Sequence, residues 1–199
     1  MSEQLLLHAC CCHCAAYTIQ HWKDLGYDLT VFWYNPNIHP FTEHQQRLVA
    51  LRKMSEIQGF KLIENPNYDM VDFLKLVAEK PENRCYYCFT MRLQETARMA
   101  REMNMDVFST SLLISPLQKH DLLPLVGKEQ EQKQNVNFLY EDLRKHYSDS
   151  RRITKPLGLY TQKYCGCILS EYERYRDFPP KDDDGLYAPA PRENLYFCD

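Results

Sequence analysis

Four thiols and an imidazole are packed into five residues near the start of the chain, Cys10-Cys11-Cys12-His13-Cys14. Two further pairs follow, Cys85-Tyr86-Tyr87-Cys88 and Cys165-Gly166-Cys167. Thiols this dense either cross-link or hold metal. Neighbouring cysteines rarely bridge each other, because a vicinal disulfide departs from normal bridge geometry. On a strand, adjacent side chains point to opposite faces, so Cys10 and Cys11 can meet one centre only after the strand has ended. Cys85 and Cys88, at the start of a helix, supply two more thiolates of similar aim. Two plus two is the Cys₄ set of a tetrahedral zinc or of an iron–sulfur cluster. Spaced pairs are the habit of structural zinc, whereas adjacent cysteines suit the wider corners of a cluster. Cys14 then stands close to the centre but outside the four. It reads either as a small buried hydrophobe in the first helical turn or as a thiol for a second metal. His13 could bind metal, but a lone histidine beside a helix start is more often a cap or surface residue.

The third pair is a different object. A bridge between Cys165 and Cys167 closes a small, strained ring, which Gly166 relaxes enough to allow. Strain makes a disulfide more oxidising and easier to reduce. Such a pair suits the exchange of two electrons; the alternative is two reduced thiols in a loop.

The elements that must position these residues alternate. Residues 5–9 read as a short buried strand and 15–25 as a helix stopped by Gly26. Residues 29–34 form a second strand, ended by Asn35-Pro36. Thr42 is placed to cap a helix reaching Gln58, with Leu48, Leu51, Met54 and Ile57 at helical spacing and Gly59 after it. A strand over 60–63, a helix over 69–80, and a helix after Cys85 with Leu93, Ala97, Ala100 and Met103 on one face come next. A fourth strand over 106–110, a loop, a helix from about His120 and a fifth strand over 136–139 complete the pattern. Alternation of this kind predicts a three-layer αβα architecture, a mainly parallel sheet with helices on both faces. Sites in such sheets form at the carboxyl ends of strands. Residues 10–14 follow strand one and residues 109–115 follow strand four, so the thiols fall at a catalytic edge.

The chain has 199 residues, 44% hydrophobic and 26% charged, enough for one full core. No apolar run is long enough to span a membrane, and no secretory signal stands at the N-terminus. Together these predict a cytoplasmic protein, where clustered cysteines serve metal or catalysis. A net charge of −3 leaves any RNA contact to a local patch. The segment with Arg144, Lys145, His146, Tyr147, Arg151, Arg152, Lys155, Tyr160 and Tyr164 offers cations interleaved with tyrosines, as phosphates and exposed bases require. Residues 1–176 are expected to form a single catalytic domain and 177–199 a disordered tail. Glu193 to Phe197 (ENLYF) resembles the start of a site used to remove affinity tags, failing at Cys198, which is therefore set aside.

Five blocks then carry a resemblance: LLLHACCCHC, NRCYYCFTMRLQETA, FSTSLLISPLQKH, EDLR and GLYTQKYCGC. Spread over about residues 5–170, they are similar to the epoxyqueuosine reductase family of the QueH type. The resemblance implies an adenine-nucleotide α-hydrolase-like fold. It implies reduction of the epoxide of epoxyqueuosine to the alkene of queuosine, at the wobble position of a tRNA with a GUN anticodon and without cobalamin. By the family's pattern Cys10, Cys11, Cys85 and Cys88 hold a [4Fe–4S] cluster, and Cys165 and Cys167 form a redox-active disulfide served by an external electron donor. An additional iron beside the cluster would take Cys14 and Asp142, the latter also a catalytic candidate. The chain departs from the pattern at Cys12-His13, where Ala-Pro is expected. It departs again at Leu117, Lys119 and Thr161, where Tyr, Asn and Arg are common. Removing an epoxide oxygen as water takes two electrons and two protons. His8, Asp142 or a tyrosine are the candidate proton donors.

Overall fold

Leu5, Leu6 and Leu7 are all fully buried, as a strand covered on both faces must be. They lie in the centre of a five-stranded sheet in the computed structural model, which describes residues 2–65 and 67–177. The strands are β1 (Gln4–His8), β2 (Asp28–Trp33), β3 (Lys61–Glu64), β4 (Val107–Thr110) and β5 (Asn137–Phe138), in the order β3-β2-β1-β4-β5. Every pairing is parallel; Leu7 stands opposite Val31 on one side and Ser109 on the other. The expected parallel αβα sheet is therefore present. The tail beyond Asp177, Cys198 included, lies outside the described residues.

Among the described residues, seven helices connect and cover the strands: α1 (Cys12–Asp24), α2 (Phe41–Gln58), α3 (Met70–Ala78), α4 (Arg84–Glu102), α5 (Leu122–Gln134), α6 (Tyr147–Thr154) and α7 (Ile168–Tyr175). α1 packs with α2 and α6, and α4 packs with α3, α5 and the two central strands. Right-handed crossovers put these two groups on opposite faces.

Several boundaries differ from the sequence reading, each for a local reason. α1 begins at Cys12 rather than residue 15, because the Cys11 thiol acts as its cap and accepts the Cys14 N–H at 3.3 Å. Thr42 does not cap α2: Pro40 holds that position without a side-chain bond, and the helix already includes Phe41. Ile57 is 58% exposed, so the buried stripe of α2 ends at Met54. Helices α6 and α7, eight residues each, were not evident as elements; they are short and rich in charge.

Candidate active site

The strand order reverses between β1 and β4, so the crevice beyond their carboxyl ends is where an open α/β sheet binds ligands. Both lips of that crevice carry chemistry. The backbone N–H of Cys10, just past β1, donates to Ser111 Oγ, just past β4, at 3.1 Å. The N-terminus of α1 turns at once, which frees Cys10, Cys11 and Cys14 from strand alternation. Their three Sγ atoms lie within 4.8 Å of one another, all buried. Cys10 and Cys11 are 3.8 Å apart, and Ser111 Oγ donates to Cys10 Sγ at 3.6 Å. Hydrogen bonds from Cys11 and Cys14 draw the Cys10 thiol well below its usual range, with Arg92 and His8 adding to the effect.

The remaining thiols gather against this triad. Cys85 and Cys88, in the first turns of α4, share a cavity of about 320 Å³ with Cys165 and Cys167. A second cavity of about 380 Å³ is lined by Cys10, Cys14 and again Cys165. Cys165 faces both, as do Leu117, Gln118, Lys163, Tyr164 and Arg174. Three separate cysteine segments thus border two adjoining cavities. Cys165 and Cys167 are free thiols here, and the chain around them is tightly tethered. Arg47 donates to the carbonyls of Cys165 (2.8 Å) and Tyr164 (2.9 Å), and His39 N–H donates to the carbonyl of Gly166 (2.8 Å). Gly166 sits at φ +147°, where a Cβ would press on Ile38 and Arg47 at 3.1 and 3.3 Å, so glycine is required for this turn. Cys167 Sγ caps α7 by accepting the Ser170 N–H at 3.4 Å.

Amide and guanidinium donors reach the sulfurs directly. Gln162 Nε2 is 2.9 Å from Cys11 Sγ, Gln118 Nε2 is 3.2 Å from Cys165 Sγ, and Arg92 Nη2 is 2.8 Å from Cys88 Sγ. Burial pushes the Cys88 thiol up, and Arg92 opposes that shift. The sequence alone marks Gln118 only as part of a polar loop at the sheet edge and gives no role to Arg47, Arg92 and Gln162. A helical signal existed for the two arginines: each follows a potential anion, Glu43 or Cys88, by four residues.

Other predicted residues are placed elsewhere. Asp142 is not among the three clustered ligands; its carboxylate takes a two-pronged pair with Arg144, at 2.9 and 3.0 Å to Nε, and lies 3.9 Å from His120. Cys12 is buried away from the triad against the Tyr160 carbonyl, and burial pushes its thiol up to about 11. His13 is neither a cap nor a surface residue. It is buried, and both ring nitrogens are taken by hydroxyls, those of Thr154 and, at 2.8 Å, Thr161. Two positions that depart from the family pattern therefore touch each other. His8 is fully buried, held by Thr110 Oγ1 (2.9 Å) and the Tyr34 carbonyl (3.2 Å), and burial lowers its pKa to about 4. Burial thus favours the neutral imidazole, and both of its ring nitrogens are engaged.

Residues 5–173 match the family model described as Epoxyqueuosine reductase QueH. The chain belongs to the QueH epoxyqueuosine reductase family. The Epoxyqueuosine reductase QueH of Dehalococcoides mccartyi is 51% identical over 175 residues, covering 88% of this chain and 96% of the relative. The QueH of Thermotoga maritima is 33% identical over 181 residues, covering 85% and 91%. Among solved structures, a predicted subunit of tRNA methyltransferase from Methanocaldococcus jannaschii superposes with a TM-score of 0.52 at 13% identity, over 77% of this chain and 76% of that one. That likeness speaks to the fold alone, and it agrees with the αβα arrangement described above.

Proposed function

We propose that this protein reduces epoxyqueuosine in a GUN-anticodon tRNA to queuosine, in the cytoplasm and without cobalamin. Cys10, Cys11, Cys85 and Cys88 would hold a [4Fe–4S] cluster, and Cys165 and Cys167 would work as a dithiol–disulfide pair reopened by an external reductant. The observation that carries the reading is the gathering of three distant cysteine segments around two adjoining cavities at the sheet's switch point. The donor set fits a sulfur-ligated centre. Its members are soft thiols, and amide, hydroxyl and guanidinium donors point at their sulfurs. When bound, such a cluster supplies one-electron transfer at a potential tuned by its surroundings.

The chain's own residues account for the rest of the reaction. Opening the epoxide to an alkene consumes two electrons and two protons and releases water. Closing Cys165 and Cys167 into a disulfide yields two electrons and two protons, so the two half-reactions balance. Cys165 is suited to this exchange because it lines both cavities, while Gln118 steadies its sulfur. Arg151, Lys163 and Arg174 line the second cavity and match the phosphates that flank a target nucleotide. An anticodon loop already exposes its wobble base, so no duplex has to be opened. Cys14 would be the thiol for an additional iron, and Asp142 would join it by exchanging its partnership with Arg144.

The test is anaerobic reconstitution with iron and sulfide, followed by incubation with tRNA carrying the epoxide base and nucleoside analysis by mass spectrometry. The expected result is a brown, iron-containing protein that converts the epoxide nucleoside to the alkene. Zinc in place of iron, or loaded protein that leaves the nucleoside unchanged with a competent donor, would overturn the reading.

A further inference from the structure

Arg92 is 2% exposed, and among the described residues its guanidinium hydrogen bonds run only to Cys88, through Nε to the carbonyl (3.1 Å) and through Nη2 to Sγ (2.8 Å). No carboxylate among the described residues forms an ion pair with it. Its ring neighbour, Phe89 at 5.8 Å, carries no formal charge. An uncompensated buried guanidinium is costly, and arginine cannot shed its proton to escape. The charge therefore needs an anion, and the groups around it are sulfurs. Cys88, whose sulfur Arg92 touches, shares one cavity with Cys165, and Cys165 shares the adjoining cavity with Cys10. These three come from the three separate cysteine segments, and the guanidinium is bonded to the first of them.

We infer that Arg92 is the built-in counter-charge of the sulfur centre, a positioning residue that sets the reduction potential of the cluster through its bond to Cys88 and its charge. The inference rests on the cluster reading above and adds a residue to it. The physical reason is direct. Reduction adds negative charge to a site in a low-dielectric interior, and a fixed cation within hydrogen-bond reach of one ligand favours the reduced form. In the metal-free chain the same charge has only thiols to face, so Arg92 would contribute nothing to the stability of the apo fold.

The experiment compares wild type, Arg92→Met and Arg92→Lys after anaerobic reconstitution, by iron content, visible spectrum, potentiometric titration and denaturation of the apo forms. Methionine keeps the stem and removes the charge; lysine keeps the charge and loses the fork. Loaded Arg92→Met is expected to shift the one-electron equilibrium at least tenfold toward the oxidised cluster, about 59 mV. Arg92→Lys should retain most of the wild-type potential. Apo Arg92→Met should be at least as stable as apo wild type. An Arg92→Met protein that folds but takes up no iron, while Arg92→Lys does, supports the same conclusion. An unchanged potential in loaded Arg92→Met, a Lys variant that falls as far as Met or loads no iron, or an apo Arg92→Met that is destabilised would each overturn it. Wild type that binds no iron would instead sink the cluster reading, so the two failures are distinguishable.

Discussion

Two helices flank the thiols, and each buries an arginine four residues after a potential anion. On α2 the partner is Glu43, whose carboxylate accepts from Arg47 Nε at 2.6 Å and from the Tyr160 hydroxyl. On α4 the partner is Cys88, and the described residues offer no carboxylate. The spacing is the same and the burial is the same, 1% and 2%. Arg47 also holds two backbone carbonyls, so its charge and its donors are satisfied by the protein alone. The α2 wall is a finished piece of scaffold that fixes the Cys165 turn. The α4 wall is electrostatically incomplete without sulfur anions. A protein that keeps one arginine self-sufficient and the other dependent has separated the job of holding the backbone from the job of holding the centre.

The largest effect expected from breaking this contrast is at Cys88. Cys88→Ala removes, among the described residues, the only side chain that hydrogen-bonds the Arg92 guanidinium, together with one proposed ligand. The loaded protein should lose iron and about 3–5 kcal/mol of stability, the cost of leaving a buried charge without its partner. Iron analysis and denaturant unfolding measure both. If Cys88→Ala unfolds like wild type, the charge on Arg92 is balanced elsewhere and the contrast between the walls is false.

Glu43→Gln is the matching change on the α2 wall and should have a smaller effect. The amide keeps the shape and can still accept from Arg47, but the charge is gone. A loss of about 3 kcal/mol is expected with iron content unchanged. Chemical denaturation of the apo protein, where the sulfur centre cannot compensate, is the sharper readout. An iron-deficient Glu43→Gln protein would mean that both arginines serve the centre.

The difference between the walls was only partly legible in the sequence. The parallel sheet and the placement of residues 10–14 at its carboxyl edge followed from alternation, because buried central strands and breaker residues are local signals. The pairing of Cys14 with Cys10 and Cys11 depended on where α1 starts. A thiol acting as its own helix cap is not a strong sequence signal, so the helix was read three residues late. His13 was read as a surface residue, and its burial depends on Thr154 and Thr161, more than 140 positions away. Arg47 and Arg92 carry no local mark that separates them from ordinary solvated helix charges. Nothing in local spacing says that the face carrying them turns inward; only the packing of α2 and α4 decides it. Asp142 was assigned from its motif, whereas its neighbour Arg144 decides its immediate partnership.

The smallest expected effect concerns acid, and on the α2 wall it falls on His44. His44 is fully buried one turn from Arg47, packed edge-on against Trp33 (5.2 Å) and Tyr68 (5.5 Å), and neither ring nitrogen has a hydrogen-bond partner among the described residues. Burial first, and Arg47 second, lower its pKa to about 4. Between the ordinary value near 6.5 and that lowered one, the unfolded chain takes up a proton that the folded chain refuses. Stability is therefore full above about pH 6.5 and declines as pH falls toward 4, by up to about 1.4 kcal/mol per pH unit for this group. His8 and His39 are lowered in the same direction and add to the wild-type slope. His44→Phe keeps an aromatic ring between Trp33 and Tyr68 and loses no hydrogen bond. Its stability should match or exceed wild type at pH 7, and its unfolding free energy should fall less steeply across pH 6.5 to 4, by close to one proton. Equal slopes in the two proteins would mean that water or a shifted backbone already satisfies His44, and that the α2 wall is as open to protons as the surface.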